Sequence, residues 1–348
     1  MHDRKSVPRD RVAGIRTIGI SAMTALLVWT EGVAAQSAFE VNATCFRGGD
    51  GTHVEVVVQI PVNRLTFTKR DEGFVASYRP DLRVLDMSGK EVKKIGGTRS
   101  VAFPTEAQTI DPDGVVDDIT RFRLDPGSYR ARLEIALGND RVERRDLSID
   151  VPEYANGHLA VSGLFFVRDV DPGAPGSDPE RFRKDNHILL PNPGRVVRVG
   201  DPVRWYFELY EIGLLAHQVR FDILDGFGHA VRSHTRDYGA YRDNARFIEG
   251  IPLRNLPPGT YTLRITAEAG DQIATVESPF LLEGPPIRIP DHFDATRQGH
   301  LRLLLASSAD EQVLSRFDSL DTEGRACFGY GYWLERDPFV ASAYVGHL

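Results

Sequence analysis

Two short patterns occur twice in this chain, in the same order, and that duplication constrains the fold more than any other feature. Val84-Leu85-Asp86-x-x-Gly89-x-x-Val92 returns as Ile223-Leu224-Asp225-x-x-Gly228-x-x-Val231. Leu124-x-Pro126-Gly127-Ser128-Tyr129-x-x-Arg132-Leu133 returns as Leu256-x-Pro258-Gly259-Thr260-Tyr261-x-x-Arg264-Ile265. The second pattern starts 40 residues after the first in one copy (124 − 84) and 33 in the other (256 − 223). In the first pattern an apolar run meets Asp and Gly, the residues that close tight turns. Each pattern alone is common in β proteins, but both in one order predict two related domains.

The residues around these turns alternate with period two, as a sheet with one buried face requires. Tyr129, Ala131, Leu133, Ile135 and Leu137 fall on one side, and Arg130, Arg132 and Glu134 on the other. Tyr261, Leu263, Ile265 and Ala267 oppose Thr262, Arg264, Thr266 and Glu268. The same period runs through Val54, Val56, Val58 and Ile60, and through Val203, Trp205, Phe207 and Leu209. This predicts antiparallel strands with a core face and a wet face. Frequent turn signals, and no long helical pattern before residue 295, predict a mainly β chain. It is expected to hold two tandem antiparallel β-sandwiches of immunoglobulin or fibronectin-III type, followed by a short helical C-terminal segment.

The first residues follow the order of a secretory signal. Arg4, Lys5, Arg9, Arg11 and Arg16 precede an apolar stretch from Ile18 to Trp29, shorter than the roughly 20 residues of a spanning helix. Val33 and Ala35 occupy the small-residue positions of a cleavage site, so residues 1–35 are expected to be removed and the protein exported, to periplasm, outer envelope or medium. Removal takes away five basic and three acidic side chains from 42 and 49, leaving 37 against 46, a net charge of −9. Such a surface disfavours nucleic acid, which demands clustered cations. No second segment is apolar enough to span a bilayer, so no membrane span is expected after signal removal.

Proline and glycine set the remaining boundaries. Val151-Pro152-Glu153 and Glu283-Gly284-Pro285-Pro286 bracket the second sandwich, giving domains at 36–153 and 154–285 and a linker plus helical tail at 286–348. Asp169 to Gly194 carries five prolines and reads as a long exposed loop or flap, either disordered or covering a sheet edge rather than a ligand lid. After Asp291 the period changes to that of a helix. Leu301, Leu304 and Leu305 form one stripe, and Val313, Leu314, Phe317 and Leu320 another. A last helix around Phe328 to Trp333 is burdened by Gly324, Gly329 and Gly331, each costing about 1 kcal/mol against Ala. The two cysteines, Cys45 and Cys327, are either both free or bridge the first domain to the tail.

The residues resemble one family. Val56-Val57-Val58-Gln59-Ile60-Pro61-Val62-Asn63-Arg64-Leu65, Trp205-Tyr206-Phe207-Glu208-Leu209-Tyr210 and Tyr332-Trp333-Leu334-Glu335-Arg336-Asp337-Pro338 are similar to segments of GWxTD domain-containing proteins, exported bacterial proteins of largely unassigned role. The resemblance carries over only Trp333, Arg336, Asp337 and Pro338, with no known function attached. The Gly-Trp-x-Thr-Asp motif that names the family does not occur here, so the chain is expected to be a shortened member.

The patterns of nucleophile elbows, phosphate loops and zinc helices do not occur in the sequence. His229 and His234 are five apart, which puts them on opposite faces of a straight strand. Asp111, Asp113, Asp117 and Asp118 surround Gly114 without the spacing of a calcium loop, and read as a solvated turn. Asn42-Ala43-Thr44 is taken as an accidental glycosylation sequon. No cofactor or metal is expected. The expectation is an exported, non-catalytic protein that contacts a protein partner through its sandwiches. The alternatives are a carbohydrate or small-ligand binder using the loops at 169–194 or 238–247, and an enzyme, such as a hydrolase.

Overall fold

The computed structural model describes residues 39–332 except 50, 72, 139–140, 155–156, 172–178, 214–216, 240–243, 254–255, 257, 284–294, 307–310, 321, 323, 326–327 and 330–331. The expected signal segment lies outside them. The chain is mainly β, arranged in several antiparallel sheets.

The first half contains β1 (Glu40–Gly48), β2 (Gly51–Pro61), β3 (Thr68–Arg70), β4 (Gly73–Asp86), β5 (Glu91–Gly96), β6 (Arg99–Phe103), the helical turn α1 (Glu106–Thr109), β7 (Val115–Leu124), β8 (Gly127–Ala136) and β9 (Val142–Val151). One sheet runs β1-β2-β7 and another β3-β4-β8-β9, with β5 and β6 both pairing β4. Val54, Val56, Val58 and Ile60 of β2 share a hydrophobic cluster with Leu82 and Val84 of β4 and with Leu133 and Ile135 of β8. β-branched side chains at every second position serve both the strand geometry and the burial.

The second half contains β10 (Ala160–Val161), β11 (Phe165–Val170), β12 (Arg183–Lys184), β13 (His187–Pro191), β14 (Val196–Arg198), β15 (Pro202–Tyr210), β16 (His217–Leu224), β17 (Ala230–Tyr238), β18 (Asn244–Pro252), β19 (Gly259–Ala269) and β20 (Gln272–Glu283). Its sheets run β10-β15-β11-β13-β12, with β18 on β15, and β14-β20-β19-β16-β17. β14 joins β20 in parallel, opposite Leu281–Glu283. Trp205, Phe207, Phe221 and Ile265 are almost fully buried in the cluster these sheets share.

The duplicated sequence produces duplicated structure. Asp86 faces Tyr129 across β4 and β8, and Leu224 faces Thr262 across β16 and β19, so both tyrosines open equivalent strands. In the first turn the Asp86 carboxylate accepts from the Ser88 N–H at 2.9 Å and the Lys90 N–H at 3.0 Å. In the second, Asp225 accepts from the Phe227 N–H at 2.8 Å and the His229 N–H at 3.1 Å. Gly89 and Gly228 follow at φ +86° and +81°, a conformation that L side chains rarely adopt. The sequence expectation fails in one respect: Tyr261 is buried, but Tyr129 is half-exposed, its hydroxyl donating to the Asp125 carbonyl at 2.9 Å.

The wet face expected on β2 and β15 is not wet. Val57 and Glu55 are buried beside the core residues of β2, and Tyr206, Glu208 and Tyr210 beside those of β15. The outward faces of the two strands belong to a shared cluster of Phe46, Val57, Ile119, Phe165, Val167, Phe182, Leu189 and Tyr206 that joins the halves. The segment at 169–194 is likewise not simply a loop. Its described part is a turn at Pro179–Phe182 and a hairpin of β12 and β13, and β13 extends the sheet by pairing β11. Phe182 and Leu189 are buried in the junction, because the hairpin lays an apolar face on β2 and β7.

The tail holds α2 (Ala295–Ala306) and α3 (Glu311–Asp318). Leu301, Leu305, Phe317 and Tyr332 form its own small cluster. A Cβ placed on Gly329 would meet the Leu301 side chain at 2.5 Å, so this glycine permits a close approach that offsets its propensity cost. Arg302 pairs with Asp318 at 2.6 Å, and Arg325 donates to the Asp318 carbonyl at 2.8 Å.

Candidate functional site

The junction between the halves holds three of the buried carboxylates among the described residues, and their partners come largely from the other half. Glu55, Asp117 and Asp118 lie on β2 and β7, while Arg168, Arg181 and Lys184 come from the second half. Glu55 accepts from Lys184 Nζ and from Arg121 Nε, each at 2.8 Å. Lys184 Nζ also sits 3.9 Å from the Phe46 ring centre. Asp118 pairs with Arg181, whose guanidinium also donates to the Ile119 carbonyl at 2.7 Å. Asp117 accepts from Arg168 at 2.6 Å and from Gln59 at 3.1 Å. Burial alone would raise the Glu55 carboxyl, but Lys184 and Arg121 outweigh it and hold it below its ordinary value. For Asp117 burial wins over Arg168, and the carboxyl is pushed up.

Two openings flank this junction. The first is a polar pocket of about 500 Å³ whose floor is Glu208. Tyr206 donates its hydroxyl to one Glu208 oxygen, and Tyr210 donates to the other at 2.9 Å. Arg246 Nε stands 3.7 Å from the same carboxylate, and Arg47 lies 4.8 Å above the Tyr210 ring while pairing with Glu211 and Asn244. Burial first, then the Glu208 charge, pushes both phenols above their ordinary range. Glu208 is thus held as an acceptor by two protonated phenols, and the pocket offers guanidinium and amide donors at its rim. That chemistry recognises polar groups.

The second opening is a cleft of about 640 Å³ between Ala43–Cys45 and Asp150–Pro152 of the first half and Val161–Leu164, Arg195 and Thr275–Pro279 of the second. Cys45 lies in its wall as a free, buried thiol whose Sγ is 3.7 Å from the Asp150 carbonyl; burial pushes the thiol up to about 12. Arg195 reaches across the cleft to the Asn42 side chain.

The residues singled out from sequence are dispersed. Trp333, Arg336, Asp337 and Pro338 lie outside the described residues, as does Cys327. His229 sits in the Asp225 turn, and His234 on β17 accepts from Arg236 at 3.2 Å. The aspartates around Gly114 divide. Asp111 closes a turn on the Asp113 N–H at 3.0 Å, whereas Asp117 and Asp118 are buried on β7 rather than solvated, because the second half brings cations to them. Among the described residues no group of three or more His, Cys, Asp or Glu could hold a metal ion. Sequence reading missed the junction itself. Its signal was the failure of alternation: Val57 within Val56-Val57-Val58, and Tyr206 and Tyr210 beside Trp205 and Phe207.

No known protein family matches the sequence, and no curated protein matches it. Among solved structures, a Bacteroides fragilis protein described as a beta-galactosidase matches at 12% identity over 65% of this chain and 32% of that one, with a TM-score of 0.24. A likeness at that score carries no argument about fold or activity.

Proposed function

We propose that this chain is an exported, non-catalytic protein made of two tandem immunoglobulin-like sandwiches, at 36–153 and 154–285, that binds another polypeptide through its exposed strand edges. The strand order favours the sandwich reading: β1-β2-β7 opposite β4-β8-β9 is repeated as β11-β15-β18 opposite β16-β19-β20. The Tyr129 hydroxyl closing back on Asp125 resembles the tyrosine corner of such folds. Export rests on the basic and apolar stretches of residues 1–35, and membership of the GWxTD domain-containing proteins on the segments quoted above. Among the described residues, no helix is long and apolar enough to cross a membrane.

The observation that carries the binding role is the edge of β9. Among the described residues β9 pairs β8 alone, over ten residues, whereas its counterpart β20 accepts the short strand β14 on its outer side. The second half thus displays, within one chain, the strand addition that the first half leaves open to a partner. The test is photo-cross-linking of exported protein from a probe at Arg145 on β9, with a control probe at Lys93 on β5. A single partner band from β9, absent from β5, supports the reading, provided that proline at Leu147 or Ser148, whichever N–H faces outward, abolishes it. Cross-links only within the chain, or a band indifferent to both prolines, refute it. The polar pocket over Glu208 favours a second reading, a carbohydrate or other polyol ligand, because Arg47, Asn244 and Arg246 converge there.

A further inference from the structure

We propose that the cleft beside Arg195 captures the C-terminal carboxylate of an extended peptide, which adds to β20 in parallel along Thr275–Pro279 and ends at the Arg195 guanidinium. This rests on the proposed role in binding polypeptides, but it concerns a different edge from that of β9.

Three features converge on the assignment. The first is the arginine. Arg195 donates to the Asn42 side chain and, at 3.5 Å, to the Pro279 carbonyl, and lies over the Phe166 ring. Asp150 and Glu277 line the same cleft, but Arg195 forms no ion pair with them among the described residues, and its Nε is buried without an acceptor. Every other cation described at the junction, from Arg121 to Lys184, has a carboxylate. A guanidinium drawn into a wall without a counter-charge is costly, and burial lowers its proton affinity accordingly. An incoming carboxylate would relieve that cost. Its backbone is also held in the left-handed region, φ +54°, which fixes where the side chain leaves the chain.

The second feature is the strand edge. β19 covers one side of β20 from Gln272 to Leu282, while β14 pairs only with Leu281–Glu283 and β10 comes close to β20 without pairing with it. Thr275–Pro279 ends one residue, Phe280, before that pairing and lines the cleft, a run of about 13 Å at 3.3 Å per residue.

The third is polarity of direction. Arg195 immediately precedes β14, and its carbonyl accepts from the Leu281 N–H at 2.9 Å. A peptide continuing the line of β14 backwards along β20 would run parallel to it, and so would point its C-terminus at Arg195. Pro279 has no N–H to donate, so the ladder stops where the guanidinium begins. The opposite orientation would bring an ammonium terminus against Arg195, which is repulsive. Ser128 and Gly127 stand on the facing wall of the cleft.

The experiment uses the whole chain. A randomised pentapeptide library with free C-terminal carboxylates is bound to the protein, and the best binder is remade as its carboxamide. We expect at least tenfold weaker binding on amidation and a similar loss with Arg195→Met. Arg195→Lys should retain part of the binding. Asn42→Ala, which removes the same bridge between the halves but keeps the charge, should retain it fully and shows that a loss in Arg195→Met is not a folding defect. Amide shifts on β20 from Thr275 to Ser278 should accompany binding. The proposal is overturned if no peptide binds, if amidation or Arg195→Met leaves binding unchanged, or if acetate alone displaces the peptide at equal concentration. A partner cross-linked at β9 alongside any of these results would leave the general reading standing and this site refuted.

Discussion

The turn after β4 and the turn after β16 are closed by the same aspartate and glycine chemistry, yet they meet different surroundings. Asp86 is half-buried and its carboxylate holds its own loop, with Met87 at 62% exposure beside it. Asp225 is buried, and it pairs with Arg316 of α3, whose guanidinium also lies 5.4 Å from the Phe227 ring. The equivalent tyrosines diverge in the same way, Tyr261 buried and Tyr129 half-exposed. So do the edges of the last strands, β20 partly covered by β14 and β9 not. A duplicated sequence thus preserves the parts that close turns and order strands, while burial of those parts is set by what packs against them. Each equivalent pair is therefore an internal control.

The largest difference is expected at the tyrosines. Tyr261→Ala should cost about 3–5 kcal/mol, the range for a truncated buried aromatic. Tyr129→Ala should cost roughly 1–2 kcal/mol, since it loses one hydrogen bond and a partly buried ring. Urea unfolding of the two variants measures both. Equal costs would break the comparison and show that Tyr129 is held as tightly as its counterpart.

Next comes the junction, where the sign of the pH effect separates charge from packing. Glu55 is held below its ordinary value, so its contribution is present above about pH 4.3 and is lost as pH falls through the folded value. Asp117 is raised, so its contribution is present at low pH and is lost as pH rises through its folded value. Lys184→Met leaves Arg121 alone against the burial of Glu55. It should cost roughly 2–3 kcal/mol at pH 7, and less at pH 4, where Glu55 in the variant takes up a proton. Unfolding at both values decides. A cost unchanged between them would mean that Lys184 acts through its contact with Phe46 rather than through its charge.

These residues mark how far the sequence could be read. The inward positions, Val54 to Ile60, Leu133, Ile135, Trp205 and Phe207, are legible because one-sided burial imposes a period of two, and the turns because Asp and Gly have few other uses in that spacing. The junction is not legible from periodicity alone. A face buried against another sheet differs from a wet face only by a few apolar substitutions, here Val57, Ile119, Tyr206 and Tyr210, among charges such as Glu55 and Asp118. Those charges look solvated until their partners, some 60 to 130 residues away, are brought to them. Arg195 carries no sequence signal at all, because a missing counter-charge is visible only in three dimensions.

A smaller and more nearly equal effect is expected at the turn glycines. Gly89→Ala and Gly228→Ala should each cost about 1 kcal/mol, because both sit at positive φ with no side chain nearby to clash. Thermal melting of the pair tests whether the second turn, braced by α3, resists the strain better than the first.

The smallest change in global stability, and the most local, is expected for Asp225→Ala beside Asp86→Ala. Both remove a carboxylate that accepts from two turn N–H groups, so the loops themselves should respond alike. Only Asp225 also fastens the tail, and α3, at eight residues, is too short to persist without packing. The tail's own cluster is small, with Leu301, Leu305, Phe317 and Tyr332 as its buried members among the described residues. Loss of the Arg316 pair should therefore let α2 and α3 open more often without unfolding the sheets. Amide hydrogen exchange at Val313 to Phe317 should then quicken several-fold in Asp225→Ala and stay unchanged in Asp86→Ala, while Leu133 and Ile265 exchange as before in both. If α3 is unaffected in either variant, its anchor is its own apolar cluster, with Gly329 letting Leu301 close, and the tail stands as an element independent of the second turn.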